Sequence, residues 1–181
     1  MELVDVYNER HEKLNYSKGR KELNDGEYRL SCFIWVINDK NEILLQQRLA
    51  TAKKMPNMWG TTAGGAQKGD SSLTGAMREL KEELGIDARK EEMVFIGSYK
   101  RINDFVEVWL CKKNIEVNAL ILEPSEVLDA RWFSIDEFKR MIVDGKGIDS
   151  GFKIFEMYYD NFYNKHYELV DGKPVLVNNE K

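Results

Sequence analysis

Residues 78–86 read Arg-Glu-Leu-Lys-Glu-Glu-Leu-Gly-Ile, and this run constrains the chain more than any other. Its carboxylates Glu79, Glu82 and Glu83 are spaced i, i+3 and i+4. On a helix they share an arc of roughly 100°. Leu73, Ala76, Met77, Leu80 and Leu84 form an apolar stripe with the same period. The pattern predicts an amphipathic helix over residues 71–84, laid on a core. Ser71 or Ser72 can cap its start, Asp70 suits the positive end of its dipole, and Gly85 fits a left-handed stop. Arg78 precedes Glu82 by one turn and can pair with it. Gly75 costs about 1 kcal/mol relative to Ala inside a helix. Its place one turn before Glu79 reads as clearance for a metal or a substrate. Three crowded anions are tolerated in two ways. Either water solvates them, as on an ordinary surface helix, or a hard divalent cation sits among them and bridges to substrate phosphates.

The longer segment 64–86 resembles the Nudix box, G-x5-E-x7-R-E-U-x-E-E-x-G-U, where U is a bulky aliphatic residue. Gly64, Arg78, Glu79, Leu80, Glu82, Glu83, Gly85 and Ile86 match at the required spacing. With average residue usage such a match arises about once in 10⁸ starting positions, so it outweighs the solvated-helix reading. Asp70 stands where the family has Glu; altered loop packing is expected there, without loss of activity. Counting back from Asp70 makes Gly64 the box glycine. Counting forward from Trp59 favours Gly65.

The resemblance implies an α+β domain with the Nudix fold. That fold is an α/β/α sandwich with a mixed β-sheet, the box forming a loop–helix–loop. One domain spans residues 1–181: an N-terminal hairpin extension over 1–25, the core over 26–166 and a tail over 167–181. The implied activity is Mg²⁺-dependent hydrolysis of a phosphoanhydride in a nucleoside diphosphate linked to another moiety, with Mn²⁺ as an alternative ion. Glu79, Glu82 and Glu83 match the metal-binding glutamates, Glu79 doubles as a base, and Arg78 matches the orienting arginine. A further acid from outside the box is expected, with Glu126 and Asp129 as candidates.

The rest of the sequence is compatible with this reading. The chain has 181 residues, 43% of them hydrophobic, and a net charge of −4. That charge does not invite nucleic acid, although a bound metal would reverse the local sign for a small anion. No apolar run approaches membrane-spanning length. Cys32 and Cys111, the only cysteines, sit in strand-like runs and need no partner, which suits a reducing cytoplasm. A homodimer stays open.

Alternation and turn signals predict strands over residues 3–8, 14–18, 28–37, 42–48, 93–101, 105–112 and 128–133, with strand-like residues from Gly60 into the box. Ser134 with Glu137 predicts a capped helix. An aromatic helix is expected over about 150–165, followed by a loosely held end.

Arg48 to Trp59, RLATAKKMPNMW, is similar to the segment before the box in isopentenyl-diphosphate isomerase, a Nudix relative. There an Arg and a nearby Lys contact diphosphate. Arg48 and Lys54 are therefore candidate substrate ligands, with Trp59 and the glycines Gly64 and Gly65 lining the pocket. The isomerase itself is an alternative. However, GTTAGGA follows Trp59 where that enzyme carries a Cys, and Arg29 and Glu22 fall where it has histidines. A non-catalytic module that senses a nucleotide is the other alternative, against which the intact carboxylates speak.

Overall fold

The computed structural model describes residues 2–163, 165–170 and 173–178. Its centre is a seven-stranded mixed sheet. β3 (Arg29–Ile37) runs parallel to β8 (Asp104–Lys112), and β7 (Met93–Lys100) adds antiparallel to β8. On the other side β3 meets β4 (Glu42–Arg48) only through Val36↔Leu44 and Ile37↔Ile43. The two strands then splay. Two short strands fill the gap: β5 (Trp59–Gly60) pairs with β4, and β6 (Thr62–Gly65) pairs with β3. β9 (Val127–Ser134) covers the far edge of β4.

Alternation divides β3 between two cores. Cys32, Ile34 and Val36 face one side with Leu44; Phe33, Trp35 and Ile37 face the other with Ile43 and Leu45. A strand buried on both faces reads as a continuous apolar run, which is what residues 30–37 show. α1 (Ser72–Leu84) covers the first face with Ala76, Leu80 and Leu84. α2 (Ile135–Val143) and α3 (Phe152–Tyr158) cover the second with Phe138, Phe152 and Phe155. The helix–sheet–helix layering is the expected one.

The caps follow the sequence. Ser71 accepts from the Thr74 amide in a capping box, and Gly85 ends α1 at φ 70°. Ser134 and Glu137 cap α2 reciprocally. The N-terminal hairpin pairs β1 (Leu3–Tyr7) with β2 (Lys13–Gly19) and braces the box loop. The Lys68 amide donates to the Leu3 carbonyl, and the Gly69 amide donates to Asp5 Oδ2 at 2.9 Å.

Two expectations about the C-terminal region need correction. The aromatic helix is shorter than predicted. α3 ends at Tyr158, and one π turn, Tyr159–Tyr163, follows it. The end of the chain also carries regular structure. β10 (Lys165–Val170) and β11 (Lys173–Asn178) form an antiparallel hairpin in register from Lys165↔Asn178 to Val170↔Lys173. Local alternation in this polar stretch is too weak to announce it. Residues 171, 172 and 179–181 of the expected tail lie outside the described residues. Among the described residues no helix is long and apolar enough to cross a membrane.

Candidate active site

Helical geometry explains how α1 sorts its carboxylates. Three residues advance 300° and four advance 400°, so Glu82 and Glu83 fall on opposite sides of Glu79. Glu83 turns under the helix and is only 6% exposed. Glu82 turns outward, with its side chain 55% exposed. Glu79 lies between them, mostly buried, against the backbone of Gly64. A Cβ built on Gly64 would stand 2.0 Å from Glu79 Cδ. Only glycine leaves that carboxylate its place.

Arg78 ties the loop to the helix. Its Nη1 donates to Glu82 Oε2 at 2.7 Å and lies 3.0 Å from Glu79 Oε1. Its Nη2 donates to the Gly65 carbonyl at 2.8 Å, and its Nε to Asp70 Oδ2 at 3.3 Å. Asp70 in turn accepts from the Gln67 amide at 3.0 Å. The shorter acid thus still supports its loop.

Glu83 meets a single neutral donor, Gln46 Nε2, at 2.7 Å. An ionised carboxylate taken out of water costs several kcal/mol, and a hydrogen bond to a charged group returns roughly 1.5–3 kcal/mol. Burial wins. It pushes Glu83 up to about 8, with Gln46 opposing and the charges of Glu79 and Glu126 adding to the rise. Burial raises Glu79 as well, against the Arg78 charge. Glu126 lies close enough for its charge to act on both buried glutamates. Asp129, the other outside candidate, is engaged elsewhere: its Oδ2 accepts from Arg131 Nε at 2.7 Å.

Beside these acids opens a cavity of about 280 Å³. It occupies the gap where β3 and β4 splay and draws its walls from both faces of the sheet. Gln46, Arg48 and Gly64 come from the α1 side, while Ser31, Phe33 and Ala63 come from the α3 side. Among the described residues Arg20, Arg29, Arg48, Lys54 and Arg101 line it, and no Asp or Glu does.

A family model of the NUDIX domain matches residues 27–150, more than half of the chain. An uncharacterized Nudix hydrolase of Listeria innocua is 33% identical over 164 residues, covering 87% of this chain and 95% of the relative. This chain belongs to the Nudix hydrolases. Its enzyme class is therefore pyrophosphohydrolase. Solved structures share the fold. A Deinococcus radiodurans protein superposes with TM-score 0.69 at 16% identity, over 87% of this chain and 99% of its own. The NUDIX domain of Shewanella oneidensis NrtR, solved with ADP-ribose, does so with TM-score 0.60 at 15% identity, over 81% and 94%.

Nudix enzymes use divalent metal ions, and the residues of this Nudix chain fit one. Two largely buried carboxylates lie near each other, Glu79 beside the Arg78 guanidinium and Glu83 with the neutral Gln46 amide, a cluster a cation would neutralise further. Gln46 Oε1, the other atom of that amide, is buried without a hydrogen-bond partner. As the side chains stand, no three acids, histidines or cysteines among the described residues converge on one point. Arg78 holds Glu82 to one side, so a metal shared by all three glutamates requires that ion pair to loosen.

The other expected site residues divide. Arg48 and Lys54 line the cavity, joined by the Arg48 Nε hydrogen bond to the Lys54 carbonyl at 3.1 Å. Trp59 is absent from its wall: the ring packs edge-on against Phe133 at 5.0 Å, under the Arg131 guanidinium. Its neighbour Gly60 lines the cavity instead. Gly75 corrects the clearance reading. An added Cβ would meet Ala66 Cα at 3.4 Å and Asp70 Oδ2 at 3.6 Å, ordinary contacts with the loop and none with Glu79. Gly75→Ala is therefore expected to stabilise the protein by about 0.5–1 kcal/mol with activity retained, as chemical denaturation and turnover would show.

Four residues of the site were not anticipated: Gln46, Arg20, Arg29 and Arg101. Gln46 had a usable signal, since it lies two residues beyond Leu44 and so shares its face toward α1. The three arginines come together only through long-range pairing.

Proposed function

We propose that this chain is a Mg²⁺-dependent hydrolase that cleaves the phosphoanhydride bond of a nucleoside diphosphate linked to another moiety, with Mn²⁺ as a substitute ion. One observation carries the reading: two largely buried carboxylates of a single helix, Glu79 and Glu83, stand against Gly64 and Gln46, which line a cavity whose charged walls are, among the described residues, all cationic. Such a pairing suits a polyanion held at one end by basic side chains and approached at the other by acids that need a cation.

Glu79, Glu82 and Glu83, with Glu126 beside them, would hold the metal, which neutralises diphosphate charge and makes bound water a better nucleophile. Arg48, at the end of β4, and Lys54, in the loop that follows, bind phosphate oxygens. Gly64, lacking a Cβ, lets the Glu79 carboxylate stand against the strand. Arg78 bridges Glu79 and Glu82 through one nitrogen and orients both. Burial raises Glu79 and so makes its carboxylate a better proton acceptor for water. The isomerase reading lacks its proton-transferring thiol: Cys32 is buried with its thiol on the Ser72 carbonyl, and burial pushes it up to about 12.

The test is a phosphate-release and product-mapping screen over nucleoside triphosphates, dinucleoside polyphosphates, ADP-ribose, nucleotide sugars, coenzyme A and NADH. Turnover is expected with Mg²⁺ or Mn²⁺ and none with EDTA. Metal-independent affinity without turnover of any compound would instead favour a sensing module.

A further inference from the structure

We propose that Arg20, Arg29 and Arg101 form a second anion subsite, which takes a phosphomonoester carried by the substrate apart from the diphosphate that is cut. The proposal rests on the hydrolase reading above and names its substrate class more closely.

The three side chains arrive from separate segments. Arg20 follows β2, Arg29 opens β3 and Arg101 follows β7, and all three line the cavity. One buried carboxylate serves two of them. Asp104 accepts from Arg101 Nε at 2.7 Å and Nη2 at 2.5 Å, and lies 3.2 Å from Arg29 Nη2. Ser31 completes the group, donating to Asp104 at 2.7 Å and accepting from Arg29 Nη1 at 2.8 Å. Arg29 is only 12% exposed. Arg20 has the Glu2 carboxylate at 3.5 Å, in a partly solvated pair worth little.

A structural ion pair needs one arginine for one aspartate. Here three positive charges meet one buried negative charge, Asp104, and the partly solvated Glu2 carboxylate on Arg20, leaving an excess of one that becomes two when a ligand displaces Glu2. The crowding registers on Arg29, which burial and then the Arg20 charge push down. A phosphomonoester carries roughly −1.5 to −2 at neutral pH and offers three acceptor oxygens, which matches that excess. Guanidinium forks suit such oxygens bidentately.

Gly65 keeps the group accessible. A Cβ there would stand 3.1 Å from Arg29 Nη1 and 3.8 Å from Arg20 Cζ. Its strand neighbour Gly64 faces Glu79 on the opposite side of the sheet. The two adjacent glycines thus open one approach to the acids and another to the arginines. A substrate threaded through the gap between β3 and β4 would present a different anion to each.

Two measurements test this. First, inorganic phosphate is titrated calorimetrically into the protein in EDTA. Saturable binding is expected. Arg20→Gln, on a side chain 46% exposed, should weaken it about tenfold, while Glu83→Gln should keep it and lose hydrolysis. Second, kcat/KM is compared within matched pairs, NADPH against NADH and coenzyme A against its 3′-dephospho form. The wild type should favour the phosphorylated member of a pair it hydrolyses, and Arg20→Gln should cut that preference about tenfold. The proposal falls if phosphate does not bind in EDTA, if Arg20→Gln binds it unchanged, or if the variant slows both members equally. If neither pair is turned over with Mg²⁺ or Mn²⁺, the titration alone decides, and a failed hydrolase reading stays separate from a failed subsite.

Discussion

Glu83→Gln is expected to lower kcat by at least 100-fold while the protein stays folded. The replacement keeps the shape of the side chain and its contact with Gln46, but removes the charge that would hold a cation. It also removes the cost of burying that charge. In EDTA the variant should therefore match or exceed the wild type in stability at neutral pH. The sign follows from proton counting. Burial raises Glu83 from 4.5 to about 8, so between these values the native state binds more protons than the unfolded chain. The metal-free wild type should lose stability as pH rises through that window. Glu83→Gln should flatten the slope, and saturating Mg²⁺ should restore stability to the wild type alone. Urea titrations at several pH values, with and without metal, would show both effects. Full activity in Glu83→Gln would remove Glu83 from the metal site.

Asp104→Asn should produce the largest loss of stability. Its carboxylate is 1% exposed and holds Arg29, Arg101 and Ser31 together. Without its charge the two guanidinium groups are left uncompensated beside a third. Breaking a buried ion pair from one side typically costs about 3–5 kcal/mol. For a chain of this length that corresponds to a fall in Tm of roughly 6–20 °C. Arg20→Gln in the same background should recover part of the loss, because it removes a cation from the same wall. A Tm within 2 °C or so of wild type would mean that Asp104 contributes little to holding the arginines.

Local structure was largely legible in the sequence. Ser71 and Gly85 bound α1, Ser134 and Glu137 open α2, and the strands from β1 to β9 lie close to the alternating runs that announced them. These signals act within a few residues, where capping and side-chain period dominate. The box glutamates were equally plain, but their separate fates were not. Glu83 and Glu82 differ by one residue in sequence, yet they end 6% and 55% exposed because the helix packs on the sheet along the Glu83 side. The basic cavity was half visible. Arg48 ends β4 and Lys54 follows six residues later, in a segment whose pattern could be compared with relatives. Arg20, Arg29 and Arg101 are scattered over more than eighty residues and meet only because β3 and β8 run parallel from Arg29↔Asp104. Trp59 was misread for a related reason: proximity to the box along the chain says nothing about Phe133 and Arg131, which claim its ring from β9.

The parting of β3 and β4 has a consequence for how such an enzyme diversifies. On the proposed function, a cavity walled from both faces of the sheet would assign bond breaking to one layer and cargo choice to the other. Changes at Arg20 or Arg101 could retune what is admitted while the chemistry across the sheet stays intact. A library confined to those two positions would be a direct way to seek new selectivities on an unchanged catalytic helix.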